Sequence, residues 1–383
     1  MSKKVIIIGP AYPLRGGLAT YNERLARAFE AQGFDVVLLS FKLQYPTFLF
    51  PGKTQYSDTP APNLKIDSAI NSINPFNWIK VGMRYKKINA DLVIFRYWMP
   101  FMAPAFGTIA RLIALNKKTK ITAITDNIVP HERRFGDTLL TRYFLKPIGS
   151  FVAMSRKVLA DIDLFDHKKS KAFIPHPLYD DFGPAMPMPD AKNILGLDPK
   201  FNYILFFGFI RKYKGLQLLI ESFAAMDYKK YKCKLLIAGE FYEDSKPYLD
   251  LIAHYKLQEH VILHTDFIPN KKVPYYFCAS DFVAQTYLSA TQSGVTQIAY
   301  FYHKPMLITD VGGLAELVPH QKVGLVVKVD KDEIAKGLET MYKNNNLQNF
   351  EKAVATESLK FSWEMLVNKI LNLNNINIFE TNK

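Results

Sequence analysis

Short β-branched runs alternate with amphipathic stretches along almost the whole chain, and this alternation restricts the fold more than any other feature. Residues 5–8, 36–39, 92–95, 121–124 and 151–154 read as buried strands, the signature of βα units wound around a parallel sheet. Between the first two, residues 19–32 have helical spacing, with Leu25, Ala28 and Phe29 on one side and Gly33 as the stop. The pattern then restarts, with strands expected at 203–207, 234–238, 261–264, 281–284, 306–308 and 324–327. Pro175-His176-Pro177 and the proline-rich stretch 183–189 make the one good linker between the halves. The expected class is therefore α/β: two Rossmann-like, doubly wound domains, each with a ligand crevice at the carboxyl ends of its strands and the two facing a central cleft.

Length agrees with this division, since 383 residues suit two cores of about 150–190 residues better than one. With 49% hydrophobic and 22% charged residues, wholesale disorder is excluded. Two cysteines, Cys233 and Cys278, can build neither a disulfide framework nor a structural zinc site, which points to a reducing, cytoplasmic setting. Met1-Ser2-Lys3-Lys4 leads straight into the first strand rather than a long apolar leader. The longest apolar stretch, 97–110, has 14 residues and two prolines, short of the ~20 that a spanning helix needs, so a soluble protein is expected. Charge is unevenly placed. Residues 1–190 carry 26 Lys+Arg against 15 Asp+Glu, or +11 of the total +14. A basic N-terminal half suits an anionic partner, although a merely solvated surface would look the same.

Three segments carry chemistry. After the first strand, the loop to the next helix holds Gly16-Gly17 and lacks the G-x-G-x-x-G dinucleotide fingerprint. Its backbone N–H groups could approach an anion or a sugar, or simply start a helix. After the first strand of the second half comes Gly208-Phe209-Ile210-Arg211-Lys212-Tyr213-Lys214-Gly215. Three cations between a strand end and a helix start are what a diphosphate requires, an exposed basic turn being the plain alternative. Farther on, a polar loop opens a helix at Gln292-Ser293-Gly294-Val295, and Gly312-Gly313 follows the next strand.

The order strand–Gly–cations–Lys-Gly, then Ala238-Gly239-Glu240, then the polar helix start, then Pro305-x-x-x-Thr309-Asp310-x-Gly312-Gly313-x-x-Glu316 resembles the group 1 glycosyltransferases. The resemblance runs from Gly16-Gly17 to Phe361-Ser362-Trp363-Glu364. It implies the GT-B fold, with an N-terminal acceptor-side domain at 1–180, a donor-binding domain at 190–355, and residues 356–383 forming a helix that crosses back to the first domain and a tail. It implies a retaining, hexosyltransferase-type enzyme moving a sugar from a nucleotide diphosphate donor to a glycan or lipid-linked acceptor, in cell-surface polysaccharide or lipopolysaccharide biosynthesis. Carried over by position, Lys214 binds the donor phosphates, Arg211 replaces the arginine usually found where this chain has Phe209, and His131 faces the active site. Gly16, Gly17, Gly208, Glu240, Gln292, Ser293, Gly294, Val295 and Gln297 fall on donor-binding positions. The family's pair of glutamates eight positions apart is missing, since 289–298 contains no acid; Gln297 or Gln292 is expected to take over hydroxyl contacts. His176 falls at the family's hinge and reads as structural. No metal and no cofactor beyond the donor are expected.

Two rivals share the phosphate grip. One is a sugar-nucleotide epimerase of the same fold, which would add acid/base groups at the donor sugar; the other is a degenerate, nucleotide-sugar-binding scaffold. Nucleic acid is not an expected partner, for the chain has no recognisable module or basic–aromatic strip. Residues 74–90, read as a helix, set Trp78, Ile79, Val81, Met83 and Tyr85 among Lys80, Arg84, Lys86 and Lys87. That pattern suits docking on an anionic membrane, peripheral on the inner face of the plasma membrane. It equally suits a helix whose Trp78 and Ile79 face the core.

Overall fold

The computed structural model describes residues 2–46, 55–57, 60–129, 135–180, 182–290 and 293–377. They form two compact units, Met1–Pro175 with Trp363–Lys383, and His176–Ser362. The first unit runs β1 (Lys4–Ile8), α1 (Gly17–Ala31), β2 (Asp35–Leu43), β3 (Ile66–Asn71), α2 (Pro75–Lys86), β4 (Leu92–Tyr97), α3 (Ala103–Ala114), β5 (Lys120–Thr125), α4 (Asp137–Leu145), β6 (Ser150–Ala153), α5 (Arg156–Asp163) and β7 (Ser170–Phe173). Its sheet is parallel, in the order β3-β2-β1-β4-β5-β6-β7. Alternation along β1 sends Ile6 and Ile8 into a core with α2, α3 and α4, and Val5 and Ile7 into one with α1.

The second unit follows with α6 (Met188–Ile194), β8 (Asn202–Phe207), α7 (Leu216–Ala225), β9 (Cys233–Ala238), α8 (Lys246–His254), β10 (Val261–His264), α9 (Val273–Ala279), β11 (Phe282–Gln285), α10 (Gly294–Phe301), β12 (Met306–Thr309), α11 (Leu314–Leu317), β13 (Gly324–Val327), α12 (Lys331–Met341) and α13 (Asn346–Ser358). Its sheet order, β10-β9-β8-β11-β12-β13, is again parallel and reverses between β8 and β11. At such a reversal the flanking loops splay apart and leave a crevice.

The last helix, α14 (Trp363–Leu373), belongs to the first unit. Leu366, Val367, Ile370 and Leu371 are buried in the core of α1 and β1, and Trp363 packs on Tyr21 with centroids 5.0 Å apart. Asn374, just beyond, donates from Nδ2 to Thr122 Oγ1 at 2.8 Å and accepts from Ser150 Oγ at 3.1 Å.

Two strands lie where the sequence shows none. β3 (Ile-Asp-Ser-Ala-Ile-Asn) and β7 (Ser-Lys-Ala-Phe) are the sheet's edges, where one side needs no apolar cover. The helix at 74–90 forms as α2, capped by the Asn74 side chain, but its faces divide differently from the membrane reading. Trp78 packs against the core and donates to the Asn71 carbonyl at 2.7 Å, and Val81 and Tyr85 are buried. Ile73, Phe76, Ile79 and Met83 are the exposed apolar residues. Among the described residues no helix is long and apolar enough to cross a membrane.

Candidate functional site

At the reversal in the second sheet, β8 is followed by Gly208, whose φ of +94° places it in the region that favours glycine. The chain then loops to Lys214-Gly215 and enters α7. Gly215 sits at φ +66°, and a Cβ there would lie 1.9 Å from the Thr286 carbonyl oxygen. The Lys-Gly turn is thus pressed against the end of β11, and Thr286 Oγ1 donates to the Gly215 carbonyl at 2.9 Å. This close approach buries Lys214, which is 8% exposed, and sets its ammonium beside Gly208.

Burial pulls the Lys214 pKa down to about 8, and the Arg211 charge adds to the effect. Among the described residues no carboxylate offsets it; the Tyr287 ring lies 6.0 Å from Nζ. Across the crevice α10 opens at Ser293, whose Oγ accepts the Val295 N–H at 3.2 Å and pairs with Tyr287 Oη at 3.1 Å. Val295 N–H is therefore occupied by the cap, and its side chain lines the pocket.

A cavity of about 380 Å³ lies here, lined among others by Gly208, Lys214, Glu240, Ser293, Gly294 and Val295. Six expected site residues thus meet in one place. Arg211 is not among the lining residues: it is exposed and its guanidinium lies over the Tyr242 ring at 4.9 Å. Gln297 does not line the cavity either. It is 2% exposed, and both its amide oxygen and nitrogen lack partners. Gly16 and Gly17 belong to the first unit, where Gly16 caps α1 at φ +114°. His131 and Gln292 lie outside the described residues. His176 bonds through Nδ1 to the Pro177 carbonyl at 2.7 Å and rests on Tyr179.

The cavity also has walls that the motifs do not announce. Tyr179 and Phe182 come from the linker, Phe207 and Phe209 from the end of β8, and Phe267, Ile268 and Asn270 from the loop after β10. None carries a chemical signature in sequence; a strand end followed by a loop was their only signal.

Residues 188–356 match the family model described as glycosyl transferases group 1. The second unit is a group 1 glycosyltransferase domain. An uncharacterized glycosyltransferase of Methanocaldococcus jannaschii is 23% identical over 185 residues, 48% of this chain and 47% of that protein. YtcC of Bacillus subtilis, named as a glycosyltransferase, is 30% identical over 163 residues, 40% and 39% of the two chains. The matched stretch thus spans half or less of these relatives. A glycosyltransferase structure from Rickettsia africae superposes with a TM-score of 0.70 at 17% identity, covering 100% of both chains. HepE of Anabaena in complex with UDP does so at 0.67 and 15%, covering 97% of this chain and 99% of that one. These likenesses establish a GT-B fold of two parallel-sheet α/β domains, with the group 1 domain carrying the cavity around Lys214.

Proposed function

We propose that the protein is a retaining glycosyltransferase that takes a nucleotide diphosphate sugar as donor. The observation that carries this is the buried, uncompensated Lys214 at the sheet reversal, beside the capped start of α10. A buried ammonium without a counter-ion is poised for an anion that arrives with the substrate. As the bond between the sugar's anomeric carbon and the β-phosphate oxygen breaks, negative charge builds on that oxygen, and Lys214 with the helix start neutralises it. The acceptor hydroxyl forms the new bond on the same face and gives its proton to the departing diphosphate. In this reading positive charge comes from protein groups and not from a metal, and His131 orients the sugar or the acceptor. HepE holding UDP in the same fold supports a nucleotide donor.

The acceptor is assigned to the glycan or lipid-linked class, met at an anionic membrane surface. Exposed Phe76, Ile79 and Met83 on α2, with Lys80, Arg84 and Lys87 among them, support that docking. Incubating the protein with a panel of nucleotide sugars and measuring release of the nucleoside diphosphate tests the donor half. Turnover of at least one donor is expected, falling about 10²–10³-fold in Lys214→Ala, the loss of ~3–4 kcal/mol of leaving-group stabilisation. Unchanged turnover in that variant would remove Lys214 from the site.

A further inference from the structure

Two opposite charges line the cavity of the second unit without meeting: Lys214, and Glu240 just past the end of β9. Along β9 the alternation sends Leu235 and Ile237 into the core with α7 and α8, and Leu236 and Ala238 into the core with α9 and α10. Phe241 returns to the first of these cores, and Glu240, between Gly239 and Phe241, lines the cavity. Backbone bonds pin this exit: Gly208 N–H donates to the Ala238 carbonyl at 2.9 Å, Gly239 N–H to the His264 carbonyl at 2.9 Å, and Ile210 N–H to the Glu240 carbonyl at 2.8 Å. A Cβ at Gly239 would stand 2.3 Å from the Gly208 carbonyl oxygen, and Gly208 in turn borders Lys214 Nζ. The two charges thus leave adjacent strands, about 4.8 Å apart. Even so, among the described residues no hydrogen bond or ion pair reaches the Glu240 carboxylate, and the charge acting on Lys214 is that of Arg211. Residues 289–298, at the start of α10, bring no acid to the cavity.

We infer that the Glu240 carboxylate binds a pair of hydroxyls on the donor, next to its diphosphate, and so selects which donor is held. The inference rests on the reading of Lys214 as the diphosphate ligand. A carboxylate beside a phosphate site repels the anion, so its place there is favourable only when the same ligand brings hydrogen-bond donors to it. The diphosphate bridge of a nucleotide sugar is fully ionised and brings none. The groups on either side of it do: ribose beyond one phosphate and the transferred sugar beyond the other. Each carries neighbouring hydroxyls that the two oxygens of one carboxylate accept together. A ligand lacking one of them leaves the carboxylate half-satisfied, and a site built around a hydroxyl rejects such an analogue strongly. Lys214 therefore supplies affinity, and Glu240 supplies selectivity.

Titration calorimetry on the full chain tests this with UDP, ADP and GDP, their 2′-deoxy forms, UDP-glucose and inorganic diphosphate. Glu240→Gln keeps the shape and removes the charge. It is expected to weaken the preferred nucleotide roughly 5- to 100-fold, to erase the preference for that nucleotide over its 2′-deoxy form, and to bind inorganic diphosphate as tightly as the parent or more so. Such opposite signs distinguish a lost hydroxyl contact from a damaged loop, and melting curves show that the variant is folded. That result assigns the hydroxyls to ribose. Unchanged nucleotide affinity with weakened UDP-glucose assigns them to the transferred sugar, and either result supports the inference. If Glu240→Gln binds every ligand as the parent does, the carboxylate holds no hydroxyl, and the inference fails while the diphosphate site stands. If inorganic diphosphate is weakened as much as nucleotide, Glu240 only shapes the loop and the inference fails likewise. If the parent binds no nucleotide at all, the donor reading falls and this inference with it.

Discussion

Lys214 ties stability to function through one charge. Its folded pKa, about 8, lies below the ordinary 10.5, so the native state prefers the neutral amine. At neutral pH the burial of the ammonium therefore costs on the order of 3 kcal/mol, and the cost is relieved as pH rises from about 8 toward 10.5. Lys214→Met should raise stability at pH 7 by about 1–3 kcal/mol in urea melts while abolishing diphosphate affinity. Affinity of the parent for diphosphate should fall as pH climbs through about 8, where the free protein loses this charge. Lys214→Met should show no such fall. The neighbouring glycine makes an independent prediction. Gly215→Ala places a Cβ 1.9 Å from the Thr286 carbonyl oxygen at a positive φ, so the turn must move. A loss on the order of 2–4 kcal/mol, read as a lowered melting midpoint of the second unit, is expected together with weakened diphosphate binding.

Among the elements, α14 closes the first unit although some 190 residues of the second precede it in the chain. Its buried face shares a core with Val5, Ile7, Leu25 and Phe29, and Asn374 beyond it bonds Thr122 and Ser150 inside the sheet. Asn374→Leu leaves Thr122 and Ser150 with only each other, at 2.8 Å, and should destabilise the first unit by about 1–3 kcal/mol. Ending the chain after Ser362 uncovers the whole face. Hydrogen exchange in that truncation should rise across β1, β4 and α1 while β8, β9 and β11 keep their protection; equal protection of both sheets would show that α14 is dispensable.

At the scale of the molecule, the +11 carried by residues 1–190 makes membrane docking testable. Co-sedimentation should rise with anionic vesicles, weaken with salt, and fall when Lys80, Arg84, Lys86 and Lys87 are neutralised, at about 1 kcal/mol for each cation at the surface. Phe76→Ser with Ile79→Ser should reduce binding further, whereas Trp78→Ser should act on folding, because Trp78 is held in the core. Equal recovery with neutral and anionic vesicles would mean that the charge serves another purpose.

Two restarted series of buried strands, the proline-rich linker and the Lys214-Gly215 turn were legible in the sequence because each depends on local spacing: period 2 or 3.6, fixed φ, and cations next to a helix start. The edge strands β3 and β7 were not, since an edge needs no apolar pattern. Nor was the pocket's aromatic wall. Phe207, Phe209 and Phe267 are apolar residues like the many that fill the core, and nothing local separates a ring that is buried from one left at a crevice mouth. The amino-acid order alone determined the α/β class and where the cations before α7 stand. Which of those cations is buried, which face of α2 meets water, and which rings line the cavity were decided only when distant strands packed side by side, because burial is a property of the assembled neighbours and not of the residue.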